Sequence, residues 1–334
     1  MNKYQYFFSI FLIAAILFLF SQKTEAQFNV NIPGALQNEL GFELIPSYPA
    51  PYQNVYINLS LYTNDLNSAK IVWLKDGKVD QEGIGLTRYS FRTGKVGEEI
   101  RIEVVIVLNN GVSFNKNFTI NPASVDIAWE ADSYTPPFYQ GKALHPRQGR
   151  FKLVATPEFY KNNKRIAPEN LVYNWSLGED ALEGQSGYGK KTVIVDGNLL
   201  GDTERIYLLV TDPNNNISAE SYLDITPTEP EILFYENNSY YGYLSDNALT
   251  KTIDLSSSEI QIVLEPYFIT RDGNLLEYKW RLNGRNASEL NNSRSAVFRK
   301  PEGEEGESLI RVNINNLQKI LQFADESLKI RFTN

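Results

Sequence analysis

Three tryptophans recur at a nearly constant spacing of about 100 residues, which is the length of one β-sandwich domain. They are Trp73, Trp175 and Trp280, and each stands between a strand-like run and a turn that contains glycine. A repeat of this length is too long for a solenoid unit. It predicts an all-β chain of three tandem sandwich domains. Because a tryptophan on a central strand packs against the opposite sheet, the three indoles are predicted to be the core signature of the domains.

Strand-like alternation and short linkers divide the chain into segments. The predicted limits are 1–26 for a signal peptide, 27–41 for an N-terminal spacer, 42–120 for domain 1, 125–226 for domain 2 and 230–334 for domain 3. The linkers at 121–124 and 227–230 contain proline, which limits bending between the domains. Within domain 1, Asn109-Asn110-Gly111 predicts a hairpin, since these residues tolerate positive φ.

The first residues have the pattern of an export signal. Lys3 precedes an apolar run over 7–20, and Thr24-Glu25-Ala26 offers small residues at the cleavage positions before Gln27. The run is shorter than the roughly 20 residues that a membrane-spanning helix needs, so a cleaved signal peptide is favoured over an anchor. The expected location is the cell surface, the periplasm or the extracellular space. If the segment is retained, it is the expected route to a membrane.

Charge and cysteine content exclude several classes of function. The net charge is −8 and no long basic run occurs, which argues against a nucleic-acid partner. The chain has no cysteine, so the exported domains are expected to fold without disulfides, and a lipid anchor on a signal-peptide cysteine is excluded.

Catalytic and metal-binding patterns are weak. His145 is the single histidine and lies in a turn-like segment, so neither a zinc site nor a Ser-His-Asp triad has local support. The run 184–191 has the glycine spacing of a phosphate-binding loop, but Lys191 replaces the required Ser or Thr and a strand is predicted to follow. We therefore predict no catalytic residue, no cofactor and no metal site. Weak Ca²⁺ binding by the acidic loop 301–307 stays open as an alternative to a solvated loop.

Aromatic residues are concentrated in two corresponding connections. Domains 2 and 3 resemble each other more closely than either resembles domain 1. Each of the two has a long Tyr-rich connection after its first strand. The candidate contact surface consists of Tyr134, Phe138, Tyr139, Tyr240, Tyr241 and Tyr243. Tyrosine among Ser, Asn and Gly suits recognition of a glycan or a protein. The same residues also suit edge strands, so a purely structural role stays open.

One segment carries a family resemblance. The run Tyr-Asn-Trp-Ser-Leu-Gly-Glu-Asp at 173–180 resembles the Tyr-x-Trp-x-Phe-Gly-Asp-Gly core of polycystic-kidney-disease (PKD) type immunoglobulin-like domains, and 278–284 and 73–77 are weaker forms. The whole chain is also similar to uncharacterised exported immunoglobulin-like proteins of small uncultured bacteria. The resemblance implies three PKD-type immunoglobulin-like sandwiches that act in adhesion, spacing or glycan contact.

These observations predict a non-enzymatic, exported immunoglobulin-like surface protein that acts as a spacer, an adhesion module or a protein-interaction module. Its expected partner is an unidentified protein or glycan of the cell envelope. Two alternatives stay open. One is an accessory subunit of an envelope machine, such as a pilus or secretion apparatus, and the other is a polysaccharide-binding module.

Overall fold

The structure is a computed structural model that describes residues 40–62, 64–198, 202–300 and 305–333. The predicted signal peptide and residues 27–39 of the predicted spacer lie outside the described residues. Regular structure in the described part is β-strand, with single turns of 3-10 helix at Leu66–Ser68, Pro168–Asn170, Glu183–Gln185, Gly273–Leu275 and Ser288–Leu290. No helix among these residues is long and apolar enough to span a bilayer.

Domain 1 is a sandwich of two antiparallel sheets. Its strands are β1 (Gly41–Ile45), β2 (Asn54–Ser60), β3 (Lys70–Lys75), β4 (Lys78–Ile84), β5 (Arg88–Arg92), β6 (Ile100–Val107) and β7 (Ser113–Ile120). One sheet has the order β1-β2-β5 and the other β4-β3-β6-β7. Alternate residues of β2 and β6 are buried, as expected for strands with one face on the core.

Domain 2 repeats this arrangement with additional short strands. It contains β8 (Ser124–Ala131), β9 (Arg150–Glu158), β10 (Tyr160–Lys161), β11 (Lys164–Arg165), β12 (Val172–Leu177), β13 (Asp180–Ala181), β14 (Gly187–Tyr188), β15 (Thr192–Asp196), β16 (Glu204–Asp212) and β17 (Ile217–Ile225). One sheet has the order β15-β9-β8. The other has the order β13-β12-β16-β17, with β14 also paired to β12, and β10 and β11 form a separate hairpin.

Domain 3 is the same sandwich with two added edge strands. It contains β18 (Glu231–Asn238), β19 (Gly242–Tyr243), β20 (Thr252–Leu255), β21 (Glu259–Tyr267), β22 (Leu276–Leu282), β23 (Arg285–Asn286), β24 (Ser295–Arg299), β25 (Gly306–Asn316) and β26 (Phe323–Phe332). The sheets have the orders β19-β18-β21-β24 and β20-β26-β25-β22-β23, and β20 runs parallel to β26.

All three domains share one connectivity, which is that of an immunoglobulin-like sandwich. The first, second and fifth main strands form one sheet, and the third, fourth, sixth and seventh form the other. Each domain has its own buried apolar cluster between its two sheets. The chain is therefore an all-β protein of three tandem immunoglobulin-like domains.

The three tryptophans occupy the same place in the three domains. Trp73, Trp175 and Trp280 lie on β3, β12 and β22 with at most 1% of the residue surface exposed. Each indole Nε1 donates a hydrogen bond of 2.9 Å to a main-chain carbonyl, and the acceptors are Leu86, Lys190 and Ser293. Each acceptor lies two residues before the fifth main strand, which belongs to the opposite sheet. Each tryptophan therefore joins its two sheets by packing and by one hydrogen bond.

The turn after the tryptophan strand explains the glycine at this place in domains 1 and 3. In domain 1 the turn residues Asp76 and Gly77 have φ of 50° and 79°, and in domain 3 Asn283 and Gly284 have φ of 50° and 79°. Two successive positive φ values characterise the type I′ hairpin turn, whose twist matches that of the flanking strands.

Replacing Trp175 tests how far domain 2 depends on this side chain. We expect Trp175→Ala to lower the free energy of unfolding of domain 2 by about 3–5 kcal/mol, because it removes a fully buried aromatic side chain. Trp175→Phe should cost less, but it leaves the Lys190 carbonyl without its donor, at about 1–3 kcal/mol. Hydrogen exchange of the β12 and β16 amides measures the loss in this domain separately.

Trp129 provides the control, because it lies on β8 and is only partly buried. We expect Trp129→Ala to have the smaller effect on the same amides. If both alanine variants lose equal stability, the central position of Trp175 has no special importance.

Candidate functional site

The residues of the candidate contact surface do not form one exposed surface in the structure. Tyr134, Phe138, Tyr139 and Tyr243 are partly buried, whereas Tyr240 and Tyr241 are 91% and 81% exposed. The first four lie where domain 2 meets domain 3, a region that we call the 2–3 junction. It is formed by the connection 132–149 of domain 2 and by the strands and loops of domain 3 that this connection contacts.

Tyr134 of domain 2 is bonded to domain 3 through both its main chain and its side chain. Its main-chain N–H donates to the Ile269 carbonyl at 2.6 Å, and its carbonyl accepts from the Phe268 N–H at 2.8 Å. Its hydroxyl donates to Glu265 Oε2 at 3.0 Å and accepts from Arg294 Nη2 at 3.1 Å. Main chain and side chain together therefore fix this tyrosine on the neighbouring domain.

A charged pair lies beneath this tyrosine. Arg294 donates to Glu265, whose side chain is only 12% exposed, and the guanidinium also lies over the Tyr134 ring at 5.2 Å from its centroid. Burial raises the pKa of Tyr134 above its usual range, so its hydroxyl stays protonated and can donate to the carboxylate. Removing Arg294 would leave a nearly buried carboxylate without its counter-ion.

Aromatic packing extends the 2–3 junction. Phe138 packs edge-on against Tyr235, with ring centroids 5.2 Å apart, and Tyr139 packs edge-on against Tyr267 at 5.6 Å. The hydroxyls of Tyr235 and Tyr267 are 2.7 Å apart and hydrogen-bonded, and Tyr243 lies against Phe138 at 5.5 Å. The structure thus differs from the expectation of an exposed surface here, because domain 3 covers Phe138 and Tyr139, and Phe138 in turn packs on Tyr243 of domain 3.

Tyr240 and Tyr241 form an exposed hairpin tip between β18 and β19. Both main-chain N–H groups donate to Asn238 Oδ1, at 2.9 and 3.2 Å. This asparagine fixes the turn, so the two tyrosines project from an ordered backbone. We call this pair the tyrosine tip.

A groove separates domain 1 from the outer face of one domain 2 sheet. Its volume is about 630 Å³, and we call it the 1–2 groove. The loop 46–53 of domain 1, with Tyr48 and Gln53, forms one wall, and β12, β16 and β17 form the other with Asn174, Tyr207 and Tyr222. The sequence interpretation did not select these residues. The available signal was the alternation of apolar and polar residues along β16 and β17, which places both tyrosines on the solvent side.

The contact between domains 1 and 2 is small and specific. Lys161 Nζ lies 2.8 Å from Glu99 Oε2 and lowers the pKa of that carboxyl. The Gly97 N–H donates to the Pro122 carbonyl at 2.9 Å. Gly97 has φ of 72°, and a Cβ on it would lie 2.4 Å from Tyr160 Cβ, so only glycine fits this approach.

His145 is buried in domain 2 beside domain 3. It is 1% exposed, packs edge-on against Phe151 at 4.7 Å, and neither ring nitrogen has a hydrogen-bond partner among the described residues. Burial, reinforced by the charge of Lys319, lowers its pKa to about 4. The carboxylate of Glu204 lies on the same side, where Gly197 leaves room for both groups. His145 is therefore neutral at pH 7 and suits a structural position.

The remaining motifs do not converge on a reaction centre. No group of three or more His, Cys, Asp or Glu in the described part of the chain could hold a metal ion. Of the acidic loop, Glu302 and Glu304 lie outside the described residues, and Glu307 pairs with Lys329 and Arg331. The glycine-rich run 184–191 leads into β15, and Lys190 Nζ donates to the Gly184 carbonyl within the run itself.

Neither a protein-family model nor a curated protein sequence matches this chain. Among solved structures, the three N-terminal domains of the outer capsid protein Hoc of bacteriophage RB49 match 88% of this chain and 97% of theirs, at 11% identity and a TM-score of 0.28. The central fibronectin-III array of RIM-binding protein matches 89% of this chain and 96% of its own, at 12% identity and a TM-score of 0.30.

Bacteroides ovatus SGBP-B, solved in complex with a mixed-linkage heptasaccharide, matches 88% of this chain and 70% of its own, at 11% identity and a TM-score of 0.22. At identities and TM-scores this low, the three likenesses carry no inference about function.

The charged pair of the 2–3 junction can be tested with the arginines at the two ends of β24, Arg294 just before it and Arg299 as its last residue. We expect Arg294→Met to destabilise the junction by about 3 kcal/mol, the lower end for a buried pair, because the Arg294 side chain is 41% exposed. Arg299→Met is the control, since the Arg299–Glu259 pair at 2.9 Å is open to solvent and worth about 0–1 kcal/mol. Calorimetry should show that domains 2 and 3 melt separately only in Arg294→Met. Equal behaviour of the two variants would contradict the junction described above.

His145 should make the stability of domain 2 depend on pH. The folded pKa of about 4 lies below the unfolded value of about 6.5. Between these values the unfolded chain binds a proton that the folded domain does not. The contribution of His145 to the free energy of unfolding is therefore complete above pH 6.5 and is lost as the pH falls towards 4. Urea titrations of the wild type and of His145→Phe should diverge over this interval by up to about 3 kcal/mol, the wild type losing more. Parallel pH profiles would show that His145 does not titrate as its burial implies.

Proposed function

We propose that this protein is a non-enzymatic, exported immunoglobulin-like protein that makes contacts in the cell envelope and holds them at a set spacing. In this proposal the sandwiches are of the PKD type, as the run 173–180 suggests, and the N-terminal segment directs export. The partner is a protein or glycan of the envelope, reached at the cell surface, in the periplasm or outside the cell.

The observation that carries the proposal is the 2–3 junction. Tyr134 is bonded to domain 3 through its main chain and its hydroxyl, and Phe138 and Tyr139 pack on domain 3 beside it. A junction with this many directional contacts supports a fixed orientation of the two domains. A fixed orientation is what a spacer needs in order to hold a contact surface at one position.

The tyrosine tip is the part of the predicted contact surface that remains exposed. Its hairpin is ordered by Asn238, so binding would not have to order a mobile loop. Tyrosine offers a large apolar ring and a polar end, and few rotamers are lost when it is immobilised. The tip is therefore the site on domain 3 where we place the envelope contact.

The test is sedimentation of the mature protein with purified envelope from its own cells. We expect the double variant Tyr240→Ser with Tyr241→Ser to bind about tenfold more weakly or worse, because two aromatic contacts are lost. Tyr62→Ser is the control, since Tyr62 is 91% exposed, as Tyr240 is, but lies in domain 1. Equal binding of the double variant and the control would contradict the proposed contact.

A further inference from the structure

We propose that the 1–2 groove is a binding site for a neutral oligosaccharide chain, in which Tyr48, Tyr207 and Tyr222 contact sugar rings and Gln53, Asn174 and Glu220 bind their hydroxyls. The site lies in domains 1 and 2, away from the tyrosine tip of domain 3. It goes beyond the envelope contact proposed above and does not depend on it.

The aromatic residues provide the first argument. Tyr207 and Tyr222 are directly paired across β16 and β17, point away from the core, and are 43% and 68% exposed. Tyr48 lines the groove from the loop of domain 1 opposite. The face of a pyranose ring presents C–H groups, which pack on aromatic rings, while its edge carries hydroxyls. Aromatic walls that also carry phenol hydroxyls suit such an amphipathic ligand.

The polar residues provide the second argument. Within the described residues, the side chains of Asn174 and Glu220 make no hydrogen bond to protein. Gln53 uses only its Oε1, which accepts from the Ala50 N–H at 2.8 Å, so its amide donors are available. A carboxylate and an amide can each bind two neighbouring hydroxyls, because each presents two polar atoms in one plane. The groove therefore combines apolar walls with unused planar donors and acceptors.

Charge decides between neutral and anionic ligands. No Lys or Arg lines the groove in the described part of the chain, and Glu220 adds a negative charge. Arg205 contacts Tyr207, but two hydrogen bonds of 2.7 Å bind it to Asp224. A phosphate or a uronic acid would find no counter-ion here, whereas a neutral sugar needs none.

The equivalent sheet surface of domain 3 is charged. In domain 3 the corresponding hollow measures about 280 Å³ and is lined by Arg281, Arg311 and Asp325 among other polar side chains. By strand register, Arg311 and Ser327 occupy the places that Tyr207 and Tyr222 occupy in domain 2. Domain 3 therefore lacks the paired tyrosines of this surface and has arginines in its hollow, whereas no Lys or Arg lines the groove within the described residues of domain 2.

Both walls of the groove are held in place. The Lys161–Glu99 ion pair and the close approach of Gly97 to Tyr160 join the two domains. The volume of about 630 Å³ lies within the range of roughly 300–1,000 Å³ that is usual for ligand sites. A ligand would therefore bind both domains at once, and loss of either wall should weaken it.

The test is calorimetric titration of the full mature chain with a set of hexasaccharides. The neutral probes are β-1,4-linked glucose, mannose and xylose chains. The acidic probe is a galacturonic acid chain, and a proline-rich decapeptide represents the extended peptides that aromatic grooves also accept. We expect at least one neutral chain to bind, and neither the acidic chain nor the peptide to do so.

Variants locate the binding in the groove. Tyr222→Ala and Tyr48→Ala should each lower the affinity for the neutral chain about tenfold or more. Glu220→Gln, which keeps the side-chain shape at an exposed position, should lower this affinity by less and should leave the fold intact. Tyr62→Ala, at an exposed tyrosine of domain 1 outside the groove, should bind as the wild type does. The inference is overturned if no neutral chain binds, if the peptide or the acidic chain binds instead, or if Tyr48→Ala, Tyr222→Ala and Glu220→Gln all bind as the wild type.

Discussion

Each domain depends on one buried tryptophan that joins its two sheets. The chain has no cysteine, so no covalent bond between sheets limits the unfolded state. Noncovalent interactions must supply the whole stability of each domain, which for natural domains is about 5–15 kcal/mol. The indole of Trp175 fills the space between the sheets. Its N–H donates a hydrogen bond to the Lys190 carbonyl, which fixes where the run 184–191 enters β15. A glycine-rich run with a nucleotide-binding appearance thus has a structural role, because its main chain accepts this bond.

The repeat could be predicted because it rests on local patterns. Tryptophan spacing, strand alternation and turn glycines are all read within a few residues, and they indicate the sandwiches and their number. Even within these local patterns, the type of turn depends on backbone geometry that the sequence does not fix. The predicted hairpin at Asn109-Asn110-Gly111 has positive φ only at Gly111, and Leu108 pairs with Val112 around a three-residue loop. Such a loop closes with one left-handed residue, which the dipeptide pattern alone does not distinguish from a two-residue turn.

The sites were harder to predict because partners distant in sequence decide exposure. Tyr139 and Tyr241 have similar neighbours in the chain, yet one packs on Tyr267 of the next domain and the other is 81% exposed. Composition cannot separate them, since the covering surface comes from a different domain. The 1–2 groove was missed for the same reason. Tyr207 and Tyr222 become neighbours only through the β16–β17 register, and Tyr48 joins them only through the contact between domains.

The two junctions differ in the length of the connection between the first two strands of the preceding domain. In domain 2 the segment between the first two strands is long and aromatic, and it closes over β18 and β21 of domain 3. In domain 1 the equivalent segment 46–53 is short and stands beside β12, β16 and β17 without filling the space. A long aromatic insertion there would occupy the groove with protein. The short connection leaves the tyrosines of domain 2 uncovered, so one junction is closed and rigid while the other remains open to a ligand.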